Sequence, residues 1–254
     1  MPTPNPRKFA EGGVLFRRAF SAAPTCSPSW AALLTGQTAH GRRMVGLAHR
    51  GFRLADPKRH LASFLQSQGY LTALRNVQHE APAEEIAGLG YSEILRPPKN
   101  TGPEAARKAV EFLNTAPKQA FFLSCGFLET HREYPVAGPK EDPRYMQPPA
   151  ILPDVPQVRQ DMANFKAAAR VLDDSMGAVF QALARNGLEE NTLERGHPHG
   201  SLANSADSAL VSSRPMVWQR GGEPVNCLPM EPEGHWQSRS EAGLWIRCSD
   251  SSRS

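Results

Sequence analysis

Ala120-Phe121-Phe122-Leu123-Ser124-Cys125 is an almost unbroken apolar run of strand length. A strand with one face in water alternates apolar and polar residues. An uninterrupted run needs cover on both faces, as in a parallel sheet under helices. On its N-terminal side, Thr101-Gly102-Pro103-Glu104 reads as a capping box opening a helix through Leu113. Further upstream, Leu61 to Gln68 reads as a helix with Leu61, Phe64 and Leu65 on one face and Gly69 as its stop. Tyr70 to Leu74 then reads as a strand, and Val14-Leu15-Phe16 as another. Downstream, residues 135–158 are rich in proline and read as an extended loop. Beyond them Met162, Phe165, Ala169, Leu172, Met176, Val179 and Leu183 recur in steps of three and four, one face of a long helix that Asn186-Gly187 ends. Strands alternating with helices around a buried strand predict an α/β layered domain.

The pattern stops after Leu193. Residues 194–254 are rich in Ser, Arg, Gly and Pro and have no countable periodicity, so they are expected to be a disordered or poorly packed tail behind a domain spanning 1–193. At 254 residues the chain can bury a sizeable core, while a mean hydropathy of -0.46 and 23 prolines predict many loops. The net charge of +4 and pI near 9.0 are too mild to argue for nucleic acid, and fit an anionic substrate as well. Cys26, Cys125, Cys227 and Cys248 show no CxxC spacing, which argues against a zinc site or a disulfide scaffold. Met1 to Lys8 contains no apolar run of the kind a secretory signal needs, and no stretch approaches 18 apolar residues. Neither a nucleic-acid nor a membrane partner is expected.

Pro24-Thr25-Cys26-Ser27-Pro28-Ser29-Trp30-Ala31-Ala32-Leu33-Leu34-Thr35-Gly36 carries the chemistry. Ser27 to Leu34 reads as a helix with Pro28 in its first turn, where a missing N–H costs nothing. Cys26 therefore stands at a helix N-terminus, where backbone N–H groups favour a thiolate or a tetrahedral oxyanion. Taken alone, a cysteine in such apolar company is more often an inert core residue.

This stretch resembles the signature of the sulfatase family, a Cys-x-Pro-Ser-Arg segment followed by an apolar run and Thr-Gly. The resemblance continues in Thr3-Pro4-Asn5 through Phe16, in Gly46-Leu47-Ala48-His49-Arg50-Gly51, in Gln78-His79-Glu80-Ala81-Pro82, and in Phe121-Phe122-Leu123-Ser124 running into Glu129-Thr130-His131-Arg132-Glu133. Asp142-Pro143-Arg144-Tyr145 and the segment from Asn186 to Leu193 extend it over roughly residues 3 to 193. Several of these motifs are similar to the heparan N-sulfatase branch. The resemblance implies an alkaline-phosphatase-like α/β core with a mostly parallel sheet between helices, incomplete at both ends. It implies that a dedicated formylglycine-generating enzyme oxidises Cys26 to formylglycine, whose hydrate attacks the sulfur of a sulfate ester. It places His79 at the sulfate or the formylglycine and His131 at the leaving-group oxygen as a general acid, with His49 as a substrate-binding candidate. Without the resemblance, each histidine would more often be a surface or hydrogen-bonded structural residue.

Several positions depart from the pattern. Trp30 stands where the family has Arg, which predicts reduced or absent formylglycine formation, since indole has one donor and no charge. Val77 stands where the family has a sulfate-binding lysine. The family binds calcium through the formylglycine, here Cys26, and through Asp residues on two strands. Those Asp ligands are missing from the expected places, so the calcium site is expected to be incomplete. Asp173-Asp174 lie within the long helix and read as part of its polar face, and His197 and His199 make a poor metal pair. The simplest account is a member truncated at both ends or changed in reading frame after Leu193.

Three functions follow. The first is hydrolysis of sulfate esters or N-sulfates, on a sulfated small molecule or glycan, through Cys26, His79 and His131, with impaired activity. The second is a catalytically dead sulfatase fragment. The third is a binding module for sulfated glycans, resting on mild positive charge and on Arg17-Arg18 and Arg42-Arg43. The family is usually exported or lysosomal, and the chain itself leaves its localisation open.

Overall fold

The computed structural model describes residues 3–11, 13–16, 20–97, 99–115, 117–198, 206–212, 219–220, 223–224 and 244–247. Arg17, Arg18, His199, Cys227 and Cys248 lie outside them. Nine strands are described: β1 (Val14–Phe16), β2 (Leu71–Asn76), β3 (Glu93–Leu95), β4 (Phe121–Gly126), β5 (Leu193–Pro198), β6 (Ala206–Ser212), β7 (Gln219–Arg220), β8 (Glu223–Pro224) and β9 (Leu244–Arg247). Seven form one sheet in the order β1-β9-β5-β6-β4-β2-β3, while β7 and β8 form a separate hairpin. β2 runs parallel to β3 and β4, whereas β6 is antiparallel to β4 and β5, and β9 is antiparallel to β5 and β1. Five strands therefore share one direction, and β6 and β9 are threaded between them the opposite way. Both belong to the stretch beyond residue 193.

Among the described residues five α-helices accompany the sheet: α1 (Pro4–Glu11), α2 (Cys26–Thr35), α3 (Leu61–Ser67), α4 (Gly102–Asn114) and α5 (Pro156–Arg185). β4 is buried along its whole length, as its apolar run predicts. Phe121, Leu123 and Cys125 pack with Ala73 against α4 and α5, while Phe122 and Leu74 pack on the other face against α2 and α3. A half-exposed strand could not carry this sequence; the two helical layers make it favourable, each buried Phe or Leu contributing about 1.5–3 kcal/mol. The α/β layering expected from the sequence is thus present, with its parallel strands between helices.

Local differences have physical causes. Thr101 makes no side-chain cap at α4; instead Glu129 Oε1 accepts the Gly102 N–H at 2.8 Å. A carboxylate at a helix N-terminus also meets the positive end of the helix dipole. α5 begins at Pro156, inside the segment read as loop, because proline suits the first helical position. Its predicted face is buried from Ala169 onward, but Met162 and Phe165 are half-buried, Phe165 meeting the Tyr134 ring edge-on at 5.7 Å. Asp173 is not on a polar face. It is 4 % exposed and accepts the backbone and side-chain N–H groups of Asn5 at 3.1 and 2.8 Å, fastening α1 to α5. Asp174 is exposed. Gly177 lacks the Cβ that would collide with Asn5, so the two helices can meet there.

Candidate functional site

Ligand sites in open α/β sheets form beyond the carboxyl ends of the strands. At that edge β2 and β4 lie side by side, Asn76 opposite Gly126. Asn76 adopts φ 72°, and its Nδ2 donates to the Gly126 carbonyl at 3.1 Å. A Cβ on Gly126 would come within 2.1 Å of the Val77 carbonyl oxygen, so only glycine lets the two chains leave the sheet this close together. His79 follows β2 and His131 follows β4.

Both loops are held from within. Gln78 Oε1 accepts the N–H groups of Glu80 and Ala81, each at 2.9 Å, and its Nε2 donates to the Ala81 carbonyl at 2.7 Å. Glu80, 1 % exposed, accepts the His79 backbone N–H on Oε2 at 2.7 Å. On the other loop, His131 N–H donates to the Leu128 carbonyl at 2.8 Å, and Glu129 anchors the segment to α4. The rings of His79 and His131 consequently meet edge to face, with centroids 5.8 Å apart and planes at 69°.

Cys26 is the first residue of α2, half-buried and not part of a disulfide. Like the two histidines, it follows a strand of the common direction, β1. Thr25 takes the N-cap position in extended conformation without a side-chain cap, and Gly36 closes the helix at φ 66°. His49 is exposed in a short 3₁₀ turn, Ala48–Arg50. That turn is tied to the helix bearing Cys26, because the Ala48 N–H donates to Ser27 Oγ at 3.1 Å. The described contacts thus form two pairings, His49's turn with the Cys26 helix and His79 with His131.

Trp30 is 1 % exposed and lies in the core with Leu34, Met44, Leu65 and Phe122; Cys26 packs against the same cluster. Position 30 is therefore part of the packing under α2. Val77 is also buried, at 8 % exposure. Among the described residues, no three of His, Cys, Asp or Glu converge as a metal-holding group. Calcium asks for six to eight oxygen ligands. A thiol and two imidazoles are not such a set, so the described residues do not fit that ion.

Sequence reasoning missed Gln78, Glu80 and Glu129. Gln and Glu in a loop read as solvated, and only the fold reveals what their side chains reach. It also missed His60, fully buried at the start of α3, where Nδ1 accepts the Ala62 N–H at 3.1 Å. Burial pushes the His60 imidazole down from 6.5 to about 4, only partly offset by the Leu89 carbonyl.

Comparison with known proteins adds a family. The profile described as "Sulfatase" matches residues 1–193. Human N-sulphoglucosamine sulphohydrolase is 28% identical over 274 residues, an overlap covering 91% of this chain and 55% of the relative. The chain thus spans about half the length of the curated relative it matches. Among solved structures, the Bacteroides fragilis protein yidJ superposes with TM-score 0.62 at 20% identity, covering 84% of this chain and 62% of that one. Ps i-CgsB in complex with k-i-k-neocarrahexaose gives TM-score 0.56 at 19% identity, covering 85% and 61%.

Proposed function

The chain belongs to the sulfatase family, and on that premise we propose that it carries a site for hydrolysing sulfate esters or N-sulfates of sugars, with turnover impaired as the chain stands. The observation that carries this reading is the meeting of His79 and His131 at the carboxyl edge of two adjacent parallel strands. Two imidazoles at such an edge can bind an anionic group and transfer a proton near neutral pH. His79 binds and orients the sulfate, and His131 donates the proton to the departing oxygen or nitrogen. Cys26 is the first residue of α2, and the free N–H groups of a helix N-terminus suit a tetrahedral oxyanion, which supports a role for it beside the sulfate. The hydrate of a formylglycine at position 26 would supply the attacking hydroxyl, and its second hydroxyl would expel the sulfate as the aldehyde re-forms. A sugar substrate is supported by the similarity to N-sulphoglucosamine sulphohydrolase and by the neocarrahexaose bound to a protein of like fold.

Impairment is supported by Trp30, whose indole is packed in the core where the family places a cation, and by Val77 at the lysine position. The same two side chains favour a second reading, a member that binds sulfated sugars without cleaving them. Hydrolysis of a chromogenic aryl sulfate with added calcium, alongside mass spectrometry of the peptide containing Cys26, separates the two. Slow turnover abolished by His131→Ala, with partial aldehyde at position 26, supports the hydrolase. An unmodified thiol with no turnover leaves only the binding reading, and efficient turnover with full conversion defeats the impairment.

A further inference from the structure

From Gly12 to Ala55 the chain contains six arginines and no aspartate or glutamate. Four of these arginines fall between residues 42 and 53, in a loop that folds back on itself. The Ala55 N–H donates to the Arg42 carbonyl at 3.0 Å, and the Phe52 ring lies on Gly46 so closely that a Cβ there would be 2.4 Å from it. These two contacts fix the limbs 42–46 and 52–55 side by side. Arg53 is paired with Glu85 at 2.6 Å. Arg42, Arg43 and Arg50 pair with no carboxylate among the described residues, although Arg42 is only 7 % exposed and its Nε is buried without a hydrogen-bond partner. Burying most of an arginine without an anion is costly. Phe52, in contact with Gly46, remains 39 % exposed. The loop also leads into the candidate site through the Ala48 to Ser27 hydrogen bond.

We propose that this loop is a docking surface for a sulfated saccharide chain, with the Phe52 ring as platform for one sugar and Arg42, Arg43 and Arg50 as partners for its sulfates. The proposal rests on the sulfated-sugar reading above and extends it to units beyond the one being cleaved. The guanidinium fork matches the paired oxygens of an oxyanion. The apolar C–H face of a pyranose matches an exposed aromatic ring seated on backbone. A single ring serves one sugar, whereas single-stranded nucleic acid calls for successive aromatic platforms along a basic groove. Phe52 is the only Phe, Tyr or Trp between residues 37 and 55.

Titration of the full chain with a fluorescent heparin-derived octasaccharide, its desulfated counterpart and an oligothymidylate of equal charge tests this. The sulfated octasaccharide is expected to bind, more weakly as salt rises. The double variant Arg43→Gln/Arg50→Gln should weaken it about fivefold to tenfold, as expected for two exposed ion pairs. Phe52→Leu should weaken it by several-fold while the far-ultraviolet circular dichroism stays unchanged. Equal binding of the desulfated sugar, tighter binding of the oligothymidylate, or unchanged affinity in the double variant and in Phe52→Leu overturns the proposal. Aryl sulfate turnover in the same variants separates the two ideas. Saccharide binding that depends on these residues without turnover upholds the docking surface and removes the hydrolase. Turnover with saccharide affinity indifferent to the loop upholds the hydrolase and removes the docking surface.

Discussion

His79 and His131 lie 52 positions apart in sequence, yet their rings meet at 5.8 Å. Neither histidine reaches the other by chance of a flexible loop. Gln78 and Glu80 lock one turn by four hydrogen bonds, and Glu129 ties the other segment to the first turn of α4.

Glu80 can be tested by substitution. Glu80→Ala removes the acceptor of the His79 N–H in a buried turn and should cost about 1–3 kcal/mol. Glu80→Gln keeps an acceptor oxygen and should retain most of the stability. Urea unfolding measures both, and cross-relaxation between the two imidazoles reads the ring contact. A ring contact that survives Glu80→Ala would show that Glu80 does not position the pair.

Glu129→Ala should remove the cap of α4, costing about 0.5–2 kcal/mol. It should also shift the imidazole resonances of His131. Gly102→Ala should fail for a complementary reason, since the new Cβ would lie 2.7 Å from Glu129 Oε2 and 2.8 Å from Ser175 Oγ. If Glu129→Ala leaves both stability and the His131 resonances unchanged, the anchor is irrelevant.

Trp30→Arg restores the family signature in sequence and should damage the protein. It replaces a fully buried indole by a guanidinium in an apolar cluster, for a loss of about 3–5 kcal/mol. Denaturant midpoints of the two proteins decide this. A variant as stable as the parent would mean that position 30 can turn toward the site.

His60 gives a pH signature. Its folded pKa is near 4 and its unfolded value near 6.5. Between those values the unfolded chain takes up a proton that the folded chain refuses, so stability falls as pH drops from about 6.5 to 4 and is flat above it. The single group accounts for about 3 kcal/mol across that window. His60→Asn keeps a capping side chain and should flatten the difference, as read from unfolding free energies at pH 7 and pH 5. An unchanged pH slope would remove His60 as its cause.

The fold was legible where burial writes itself into composition. The run from Phe121 to Cys125 and the three-four periodicity of α5 have no good alternative to a buried strand and an apolar helix face. The paired histidines could be named only by likeness to a family, because nothing near His79 in sequence points to His131. What stayed hidden depends on distant contacts. Asp173 looks like any helical carboxylate until Asn5, 168 positions away, docks on it. Trp30 reads as a defect in a signature until the core beneath α2 comes into view. The cap of α4 was sought in Thr101, the local candidate, and was supplied from the far end of β4.

The threading of the sheet has a consequence for how the chain is made. Among the described strands β1 pairs only with β9, so Val14 waits for Ile246, and β4 and β5 are joined through β6. As the chain emerges during synthesis, β1 has no strand beside it, among the described strands, until residues 244–247 appear. Such distant pairings must meet the entropy of closing long loops before any contact rewards it, so the sheet should close late and slowly. The nascent protein therefore passes through a long interval in which β1 and the β4 edge of the parallel core are open, an interval in which chaperones or unwanted partners compete for the same hydrogen bonds.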